Sequence, residues 1–287
     1  MKLGVLGGSG LYAMDGLEDV TEKTLSTPFG APSDAYICGR LDGVDMVFLP
    51  RHGRGHRFTP SEINYRANIW GLKALGVTQV VAVSAVGSMR EEIAPGDFVL
   101  IDQFIDRTRH RPDTFFGDGV VAHVMFADPV CEGVRQALVQ ASRTTGIKVH
   151  DGGTYLCMEG PQFSTRAESE LYRSWGVDVI GMTNLTEAKL AREAELCYAT
   201  LAMATDYDCW HQGHDDVTVE AIVAVMHANV SHARQVLRAV VPALAKRGDC
   251  AHQRALANAI MTDPKTIDEA TRTRMDLIIG RYLGPRA

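Results

Sequence analysis

Small and polar residues follow four strand-like segments of the chain, at the points where each segment ends. The four stretches are "GGSG" at 7–10, "RHG" at 51–53, "SAVGS" at 84–88 and "GMTN" at 181–184. Because α/β folds collect ligands at the carboxyl ends of their strands, we expect these stretches to lie close together. A guanidinium, an imidazole, hydroxyls and the amides of a glycine-rich loop suit an oxyanion such as phosphate. The four stretches therefore predict an oxyanion site.

The glycine-rich stretch from Gly4 to Tyr12 has a second interpretation, the opening turn of a dinucleotide-binding domain. Gly8, Gly10 and Ala13 nearly match the G-x-G-x-x-G/A fingerprint. Asp15-Gly16 follows at once and would break the helix that the fingerprint must open. We therefore reject a dinucleotide site. Taken alone, the loop fits a tight turn without a ligand as well as it fits an anion site.

Composition and charge exclude several classes of protein. The 287 residues are 46% hydrophobic and 22% charged, with a net charge of −6 and no basic block, which argues against a nucleic-acid or membrane-surface partner. None of the six cysteines forms a C-x-x-C pair, so neither a zinc ribbon nor a redox motif is supported. The chain begins with a strand-like segment and shows no leader or membrane-length apolar run. We therefore expect a reduced, cytoplasmic protein.

Strand-like and amphipathic segments alternate along the chain, which predicts a single α/β domain with a mixed sheet flanked by helices. The stretches at 45–50 ("DMVFLP") and 78–88 ("TQVVAVSAVGS") have the composition of buried strands. Asp128-Pro129 predicts the start of a helix, as N-cap and first helical residue. Thr165 and Glu168 have the spacing of a capping box for a further helix.

Seven longer motifs, in this order along the chain, resemble the methylthioadenosine phosphorylases, a branch of the trimeric purine nucleoside phosphorylase family. They are "GGSGL", "TPFGAPSD", "RHGRGH", "NYRANIWGLK", "GSMREEIAPGDFVLIDQFIDRT", "EGPQFSTRAE" and "ATDYDCW". The resemblance covers about residues 1–245 and implies an open, distorted sheet, a partial barrel, surrounded by helices. It implies a nucleoside phosphorylase domain at 1–246 and leaves 247–287 as a C-terminal helical extension without an assigned role.

The reaction that this resemblance implies is phosphorolysis, a step of purine and methionine salvage. Phosphate attacks C1′ of 5′-methylthioadenosine and releases adenine and 5-methylthioribose 1-phosphate. The resemblance also implies a homotrimer, and neither a metal nor an organic cofactor. The chain has no P-loop lysine pattern, so a nucleoside triphosphate is not expected.

The resemblance implies a phosphate site that agrees with the strand-end residues. Its members are Ser9, Arg51, His52, Ser84, the amide of Ala85, and Thr183. Arg51 offers a rigid fork of donors that stays cationic, which suits a multiply charged nucleophile. The family often has threonine where Ser9 and Ser84 stand, and serine keeps the hydroxyl. Each of these residues alone would be interpreted as a turn or surface residue.

Asp206 in "TDYD" resembles the acid of the family that contacts the purine, and it is the predicted catalytic residue. Glycoside cleavage places positive charge on the sugar, while the leaving purine becomes negative. A protonated carboxyl could donate to N7, which requires a raised pKa; the apolar stretch before Asp206 makes the necessary burial credible. Asp208 is expected behind Asp206 or also on the base. The 6-oxopurine enzymes have asparagine at this position, so Asp206 favours adenine.

The remaining substrate contacts are also implied by the resemblance. They are Phe163 stacked on the purine, Ser164 at a second base-specificity position, Met182 under the ribose, Val219, Ile222 and Val223 around the methylthio group, and His123 donated across a subunit boundary. Each has an ordinary alternative, as a core, helix-face or surface residue. Gly181 and Asn184 depart from the "NMTT"-type stretch of the family.

Three other functions remain open at this stage. A methylthioinosine or general purine nucleoside phosphorylase is opposed by Asp206 and by the valine-rich pocket. A nucleosidase is opposed by the oxyanion residues, because water needs no such site. A non-catalytic nucleotide-binding protein would bind the ligand without turnover.

Overall fold

The computed structural model describes residues 1–8, 10–211 and 219–284, without the side chains of 219–224. These residues form 11 strands and six α-helices, and the helices lie between strands along most of the chain. The strands are β1 (Lys2–Gly7), β2 (Leu17–Lys23), β3 (Tyr36–Leu41), β4 (Val44–Pro50), β5 (Gln79–Ser88), β6 (Phe98–Leu100), β7 (Gln103–Arg107), β8 (Val149–Asp151), β9 (Thr154–Met158), β10 (Val179–Gly181) and β11 (Cys197–Tyr207). The helices are α1 (Tyr65–Ala74), α2 (Glu132–Thr144), α3 (Arg166–Ser174), α4 (Asn184–Glu193), α5 (Val219–Ala245) and α6 (Glu269–Ile279).

The strands form one mixed sheet that branches at β5. Its main path runs β2-β3-β4-β1-β5-β10-β9-β7, while β11 pairs along β5 and leads to β6 and β8. Strands β1 and β11 are parallel to β5, and β10 is antiparallel to it. The predicted fold class, a mixed and distorted sheet flanked by helices, is confirmed.

The central strands are buried on both faces, so apolar residues fill consecutive positions instead of alternating with polar ones. Val81 and Val83 of β5 pack into a core shared with α2 and α5. Val80 and Ala82 pack into a second core, shared with α1, α4 and α6. The sheet is therefore the middle of three layers.

The branching leaves an open edge in the middle of β5. On one side of β5, β1 pairs with residues 79–82 and β10 pairs with residues 87 and 88. Residues 83–86 have no strand partner on that side among the described residues, although β11 covers the other side. We call residues 83–86 the β5 gap. Such a divergence of neighbouring strands is where open α/β sheets bind ligands.

The local sequence signals are partly right. Thr165 and Glu168 form the predicted capping box at the start of α3. The helix predicted to begin at Asp128-Pro129 begins instead at Glu132, after Cys131, so that prediction is wrong. The cause is tertiary: the Cys131 amide donates to the carbonyl of Tyr198 in β11, which keeps this segment extended along the sheet.

The backbone after β1 does not enter the helix that a dinucleotide fingerprint requires, in agreement with our rejection of such a site. The chain turns through residues 10–12 and continues into β2 without a helix. No helix among the described residues is long and apolar enough to span a membrane.

The residues after α5 pack onto the rest of the sheet. Leu256, Ile267, Met275 and Ile279 are buried in the same core as α1 and α4. The C-terminal segment thus supplies part of one helical layer.

Candidate functional site

Two of the predicted phosphate ligands lie in the β5 gap. The Val83 carbonyl faces the gap, where it accepts from Arg51 Nη1 at 2.8 Å. Alternate residues of a strand present their N–H groups to the same side, so the Ala85 amide faces the gap as well. Ala85 is exposed in an otherwise buried stretch of β5, and Ser84 beside it is 7% exposed. A backbone donor and a hydroxyl therefore meet at an opening in the sheet.

Arg51, directly after β4, is held in the core by an ion pair that the sequence analysis did not identify. Its Nε and Nη2 donate to the two carboxylate oxygens of Glu187 at 2.5 and 2.9 Å. Nη2 also donates to the Leu6 carbonyl at 3.4 Å. The Glu187 charge raises the pKa of Arg51 against the opposing effect of burial, so the guanidinium stays charged. Among the described residues, one N–H of Nη1 is left for an anion.

His52 lies next to this arginine as a neutral ring. Its Nδ1 is 2.8 Å from the carbonyl of Phe58, which places the proton on Nδ1 and leaves Nε2 as an acceptor. Burial, with a smaller contribution from the Arg51 charge, lowers the pKa of His52 to about 4 against the hydrogen bond to Phe58. The ring stacks on His56 with 4.2 Å between centroids.

Thr183 brings a helix N-terminus to the same place. It is the N-cap residue of α4 and is buried, but its hydroxyl makes no capping bond to the helix. The first N–H groups of a helix, together with its dipole, favour an anion. Glu187 lies in the first turn of α4, so its pair with Arg51 fixes this helix end against the end of β4. The hydroxyl of Ser84 and the backbone of Thr183 both flank the phenol of Tyr155.

Asp206 lies along the sheet from these donors, about three strand residues away. It stands opposite Gly87 in the pairing of β11 with β5, three residues beyond Ser84. At about 3.3 Å per strand residue the two positions are about 10 Å apart. This separation leaves room for a sugar between an anion at Ser84 and a ring at Asp206.

A β-bulge directs the Asp206 carboxyl. The register of β11 against β5 shifts between Ala204 and Asp206, which leaves Thr205 as the extra residue. In a regular pairing Thr205 would stand opposite Gly87, and the Asp206 side chain would face the other side of the sheet. Bulges of this kind are common beside active sites because they turn a side chain.

The two carboxyls at the end of β11 both have raised pKa values. Burial raises the pKa of Asp206 to about 6, with a smaller contribution from Asp208 against a hydrogen bond from Thr205. The Thr205 hydroxyl donates to Asp206 Oδ1 at 2.6 Å and leaves Oδ2 near Gly87. Burial also raises the pKa of Asp208, whose Oδ2 accepts from Ser169. A carboxylic acid that can donate at near-neutral pH thus borders the site.

The loop between β9 and α3 closes over the end of β11. The Cys209 thiol donates to the carbonyl of Ser164 at 3.4 Å, and Arg166 donates to the carbonyl of Cys209 at 2.7 Å. Ser164 is half-buried there, with its hydroxyl 3.5 Å from Met158 Sδ. The Phe163 ring is 68% exposed, so within this chain it covers no buried core.

Met182 lies between the phosphate residues and this loop. It is half-buried against the loop, where a Cβ at Gly160 would overlap its thioether. The Met182 carbonyl accepts from Nη1 of Arg111 at 2.5 Å, and Nη2 of Arg111 holds the carbonyl of Glu159 at 2.6 Å. Arg111 therefore ties the end of β9 to the residues after β10.

Some predicted residues stand apart from this group. His123 is exposed, and its amide pairs with the carbonyl of Ala259; among the described contacts nothing joins it to the other site residues. Ser9 and the side chains of Val219, Ile222 and Val223 lie outside the described residues.

Three further residues at the site were missed from the sequence: Glu187, Arg111 and Tyr155. Glu187 and Arg111 act through partners that are distant along the chain, and no local pattern signals such pairs. Tyr155 lies in the apolar strand β9, where no local pattern distinguishes its hydroxyl from the rest of the strand. A sequence signal for Tyr155 was the departure of Gly181 from the family pattern, because the Tyr155 hydroxyl fills the space that a side chain at residue 181 would need.

A group of sulfur and imidazole ligands lies elsewhere, where α2 meets the C-terminal segment. Ligand atoms of Cys131, Cys250 and His252 lie within 4.8 Å of one another. However, Arg247 donates to Cys131 Sγ at 3.5 Å, and Arg192 Nη2 is 3.1 Å from His252 Nε2. Two guanidinium groups at the ligand atoms repel a divalent cation, so we assign no metal to this group.

Known proteins resemble the chain over almost its whole length. The family model of the phosphorylase superfamily matches residues 2–242. The S-methyl-5′-thioadenosine phosphorylase of Geobacter sulfurreducens is 61% identical over 282 residues, which cover 98% of this chain and 99% of the relative. That of Koribacter versatilis is 57% identical over 283 residues, covering 99% and 97%.

Solved structures agree with the sequence relatives. A methylthioadenosine phosphorylase from an Antarctic soil metagenomic library superposes with a TM-score of 0.93 at 46% identity, over 99% of this chain and 98% of that chain. The Schistosoma mansoni methylthioadenosine phosphorylase in complex with adenine superposes with a TM-score of 0.85 at 38% identity, over 90% and 96%. The resemblance seen in the seven motifs is thereby confirmed: the chain belongs to the phosphorylase superfamily, in the family of S-methyl-5′-thioadenosine phosphorylases.

Proposed function

We propose that this chain catalyses the phosphorolysis of 5′-methylthioadenosine to adenine and 5-methylthioribose 1-phosphate. One observation carries the proposal: oxyanion donors converge at the β5 gap, about 10 Å along the sheet from a carboxyl whose pKa is raised. The relatives named for this reaction, at 57 and 61% identity, support it.

On the phosphate side, the donors hold the nucleophile beneath C1′. The free N–H of Arg51, the hydroxyls of Ser84 and Thr183, and the Ala85 amide donate to phosphate oxygens, with Ser9 as a further donor. Neutral His52 presents Nε2, which can accept from a protonated phosphate oxygen. Once they are directed at the bound phosphate, these donors need little reorganisation as the sugar becomes positive and the phosphate approaches it.

On the base side, Asp206 takes up the charge that develops on the departing purine. In its protonated form the carboxyl donates to N7, and it accepts from the 6-amino group of adenine. Asp208, held by Ser169, lies behind it. A hydrogen bond that strengthens as the purine becomes negative stabilises the transition state more than the ground state.

The remaining assignments complete the pocket. Phe163 and Ser164 lie against the purine, Met182 under the ribose, and Val219, Ile222 and Val223 around the methylthio group. His123 is contributed by another copy in a homotrimer, in agreement with its separation from the other residues of its own chain. Phosphate is a co-substrate, and no metal or organic cofactor takes part. The enzyme works in the cytoplasm. Residues 1–246 form its nucleoside phosphorylase domain, and residues 247–287 form a C-terminal extension.

The test is adenine release from methylthioadenosine with and without phosphate, run beside adenosine and methylthioinosine. We expect release from methylthioadenosine that depends on phosphate and yields 5-methylthioribose 1-phosphate. Undiminished release in phosphate-free buffer would identify a nucleosidase. Faster release of hypoxanthine from methylthioinosine would make the 6-oxopurine activity the main one, and binding without turnover would overturn the enzyme assignment.

A further inference from the structure

One fully buried tyrosine hydroxyl has no hydrogen-bond partner among the described residues. It belongs to Tyr155 of β9, whose side chain is 0% exposed. The other buried tyrosines of comparable depth all use their hydroxyls: Tyr36 with the carbonyls of Ala67 and Asn68, Tyr65 with the carbonyl of Pro60, and Tyr198 with Glu187. A buried polar group without a partner destabilises the folded state, so its retention calls for an explanation.

The position of this hydroxyl supplies the explanation. It lies over Gly181, in space that a Cβ at residue 181 would occupy. The Ser84 hydroxyl and the Thr183 backbone are its polar neighbours, and both lower the pKa of Tyr155 against the larger effect of burial. The phenol therefore lies directly behind two residues of the phosphate site, on the side away from solvent.

The two neighbours are themselves loosely held. The Ser84 hydroxyl donates to the carbonyl of Ala85 at 3.2 Å. The Thr183 hydroxyl makes no capping bond to the helix and lies 3.4 Å from Asn184 Oδ1. Both of these contacts within the described part of the chain are long, so each hydroxyl can turn toward a ligand.

We propose that Tyr155 is a positioning residue of the phosphate site: its hydroxyl donates to Ser84 Oγ when phosphate is bound, and thereby directs the Ser84 proton to a phosphate oxygen. The inference rests on the proposed function. The order of donors is then Tyr155 to Ser84 to phosphate, with no proton transferred. Hydrogen bonds at ligand sites often tighten only when the ligand binds, and we expect the bond from Tyr155 to Ser84 to form in this way.

The direction of this hydrogen bond follows from chemistry. Burial raises the pKa of Tyr155, so the phenol keeps its proton and acts as a donor. A serine oxygen that accepts this hydrogen bond has its own hydrogen left to donate. The phosphate oxygens are acceptors, so the chain of donors ends on the charge that it must hold.

The competing interpretation is that Tyr155 merely fills the hollow left by Gly181. A filler would matter for its ring and not for its oxygen. Tyr155→Phe keeps the ring and removes only the hydroxyl, so it separates the two interpretations.

The experiment compares the KM for phosphate with the KM for methylthioadenosine. For Tyr155→Phe we expect the KM for phosphate to rise about 3- to 10-fold, as for one lost hydrogen bond, while the KM for the nucleoside changes less than about twofold. The melting temperature should stay the same or rise, since an unpartnered polar atom is removed. Tyr36→Phe is the matched control, because its hydroxyl also lies over a glycine, Gly71, but has two partners. That variant should lose stability and keep both KM values.

A double-mutant cycle tests the route through Ser84. If Tyr155 acts through this hydroxyl, Tyr155→Phe should have no further effect on the KM for phosphate in a Ser84→Ala background. An unchanged KM for phosphate in Tyr155→Phe, or an equal effect in both backgrounds, would overturn the proposal. Wild-type enzyme in the same assay distinguishes failure of the Tyr155 proposal from failure of the proposed function. If the wild type releases no adenine, the proposed function has failed. Binding of inorganic phosphate, measured by calorimetry, then tests the role of Tyr155 alone.

Discussion

The Asp206 carboxyl accepts a hydrogen bond and still has a raised pKa, a combination that an ordinary surface aspartate does not show. The carboxyl is held by the Thr205 hydroxyl at 2.6 Å, and burial raises its pKa to about 6. The first property fixes its direction, and the second keeps a proton available near neutral pH. Together they support the general-acid role that we propose for Asp206.

Replacing this acid tests its role. In Asp206→Asn the amide cannot deliver a carboxylic proton to N7, so we expect kcat/KM for adenine release from methylthioadenosine to fall by about 10²- to 10³-fold. The melting temperature should not fall, because a buried ionisable group is replaced by a neutral one of the same shape. Equal activity in the variant would show that the base site is misassigned.

The raised pKa also predicts a pH dependence. The folded protein keeps the Asp206 proton up to about pH 6, whereas an unfolded chain loses it near the ordinary aspartate value of 3.8. Folding stability therefore falls as pH rises between these values, and the protonated acid is lost above the upper one. We expect kcat/KM for the nucleoside to fall as pH rises through about 6.

Phosphate titrates in a nearby range, so this profile needs a control. The Asp206→Asn variant retains the phosphate titration and lacks the carboxyl. A profile of the same shape in both proteins would assign the pH dependence to phosphate and not to Asp206.

At the level of the elements, the sequence predicted where strand ends would meet but not what holds them there. Strand-end motifs placed Arg51, Ser84 and Thr183 at one edge, because parallel strands carry their carboxyl ends to one side of a sheet. The pair of Arg51 with Glu187 joins residues 136 positions apart, and no local periodicity encodes such a pair. The bulge at Thr205 is likewise a property of two paired strands. The predicted start of α2 was wrong for the same reason, because the hydrogen bond from Cys131 to Tyr198 of β11 sets where the helix begins.

The Arg51–Glu187 pair predicts a large stability effect. Glu187→Ala leaves a guanidinium uncompensated in the core, where the two side chains are only 4% and 3% exposed. We expect a loss of about 3–5 kcal/mol in the free energy of unfolding, measured by denaturant titration. Any protein that remains folded should show a raised KM for phosphate, because α4 loses its anchor.

An exposed ion pair provides the matched control for this prediction. Arg40 and Asp45 are 3.7 Å apart with half-exposed side chains. Asp45→Ala should cost no more than about 1 kcal/mol. A similar cost for both variants would show that the buried pair does not anchor the site.

Two segments that lie side by side on the surface of the molecule expose large apolar side chains. Ala122 bridges to Ile260, and near this bridge Val121, Met125 and Met261 are 47%, 84% and 67% exposed. His123 lies among them. Apolar patches of this kind mark contacts between protein chains, which fits a subunit boundary here.

The proposed homotrimer can be tested by its mass and through this surface. Light scattering on the purified protein should give about three times the chain mass of 31.3 kDa. Met125→Glu should lower that mass and reduce activity together, because a charge is placed in the boundary that carries His123. A monomeric wild type with full activity would contradict both the trimer and the role of His123.

The pairing of Arg51 with Glu187 predicts how the KM for phosphate depends on salt. Arg51 is matched by Glu187, and His52 is uncharged at neutral pH, so in the proposed site these residues would attract phosphate by oriented hydrogen bonds and not by excess positive charge. Attraction of that kind is hardly screened by dissolved ions. The KM for phosphate should therefore change less than about twofold between dilute buffer and half-molar sodium chloride, and the sugar phosphate can leave without a strong electrostatic hold.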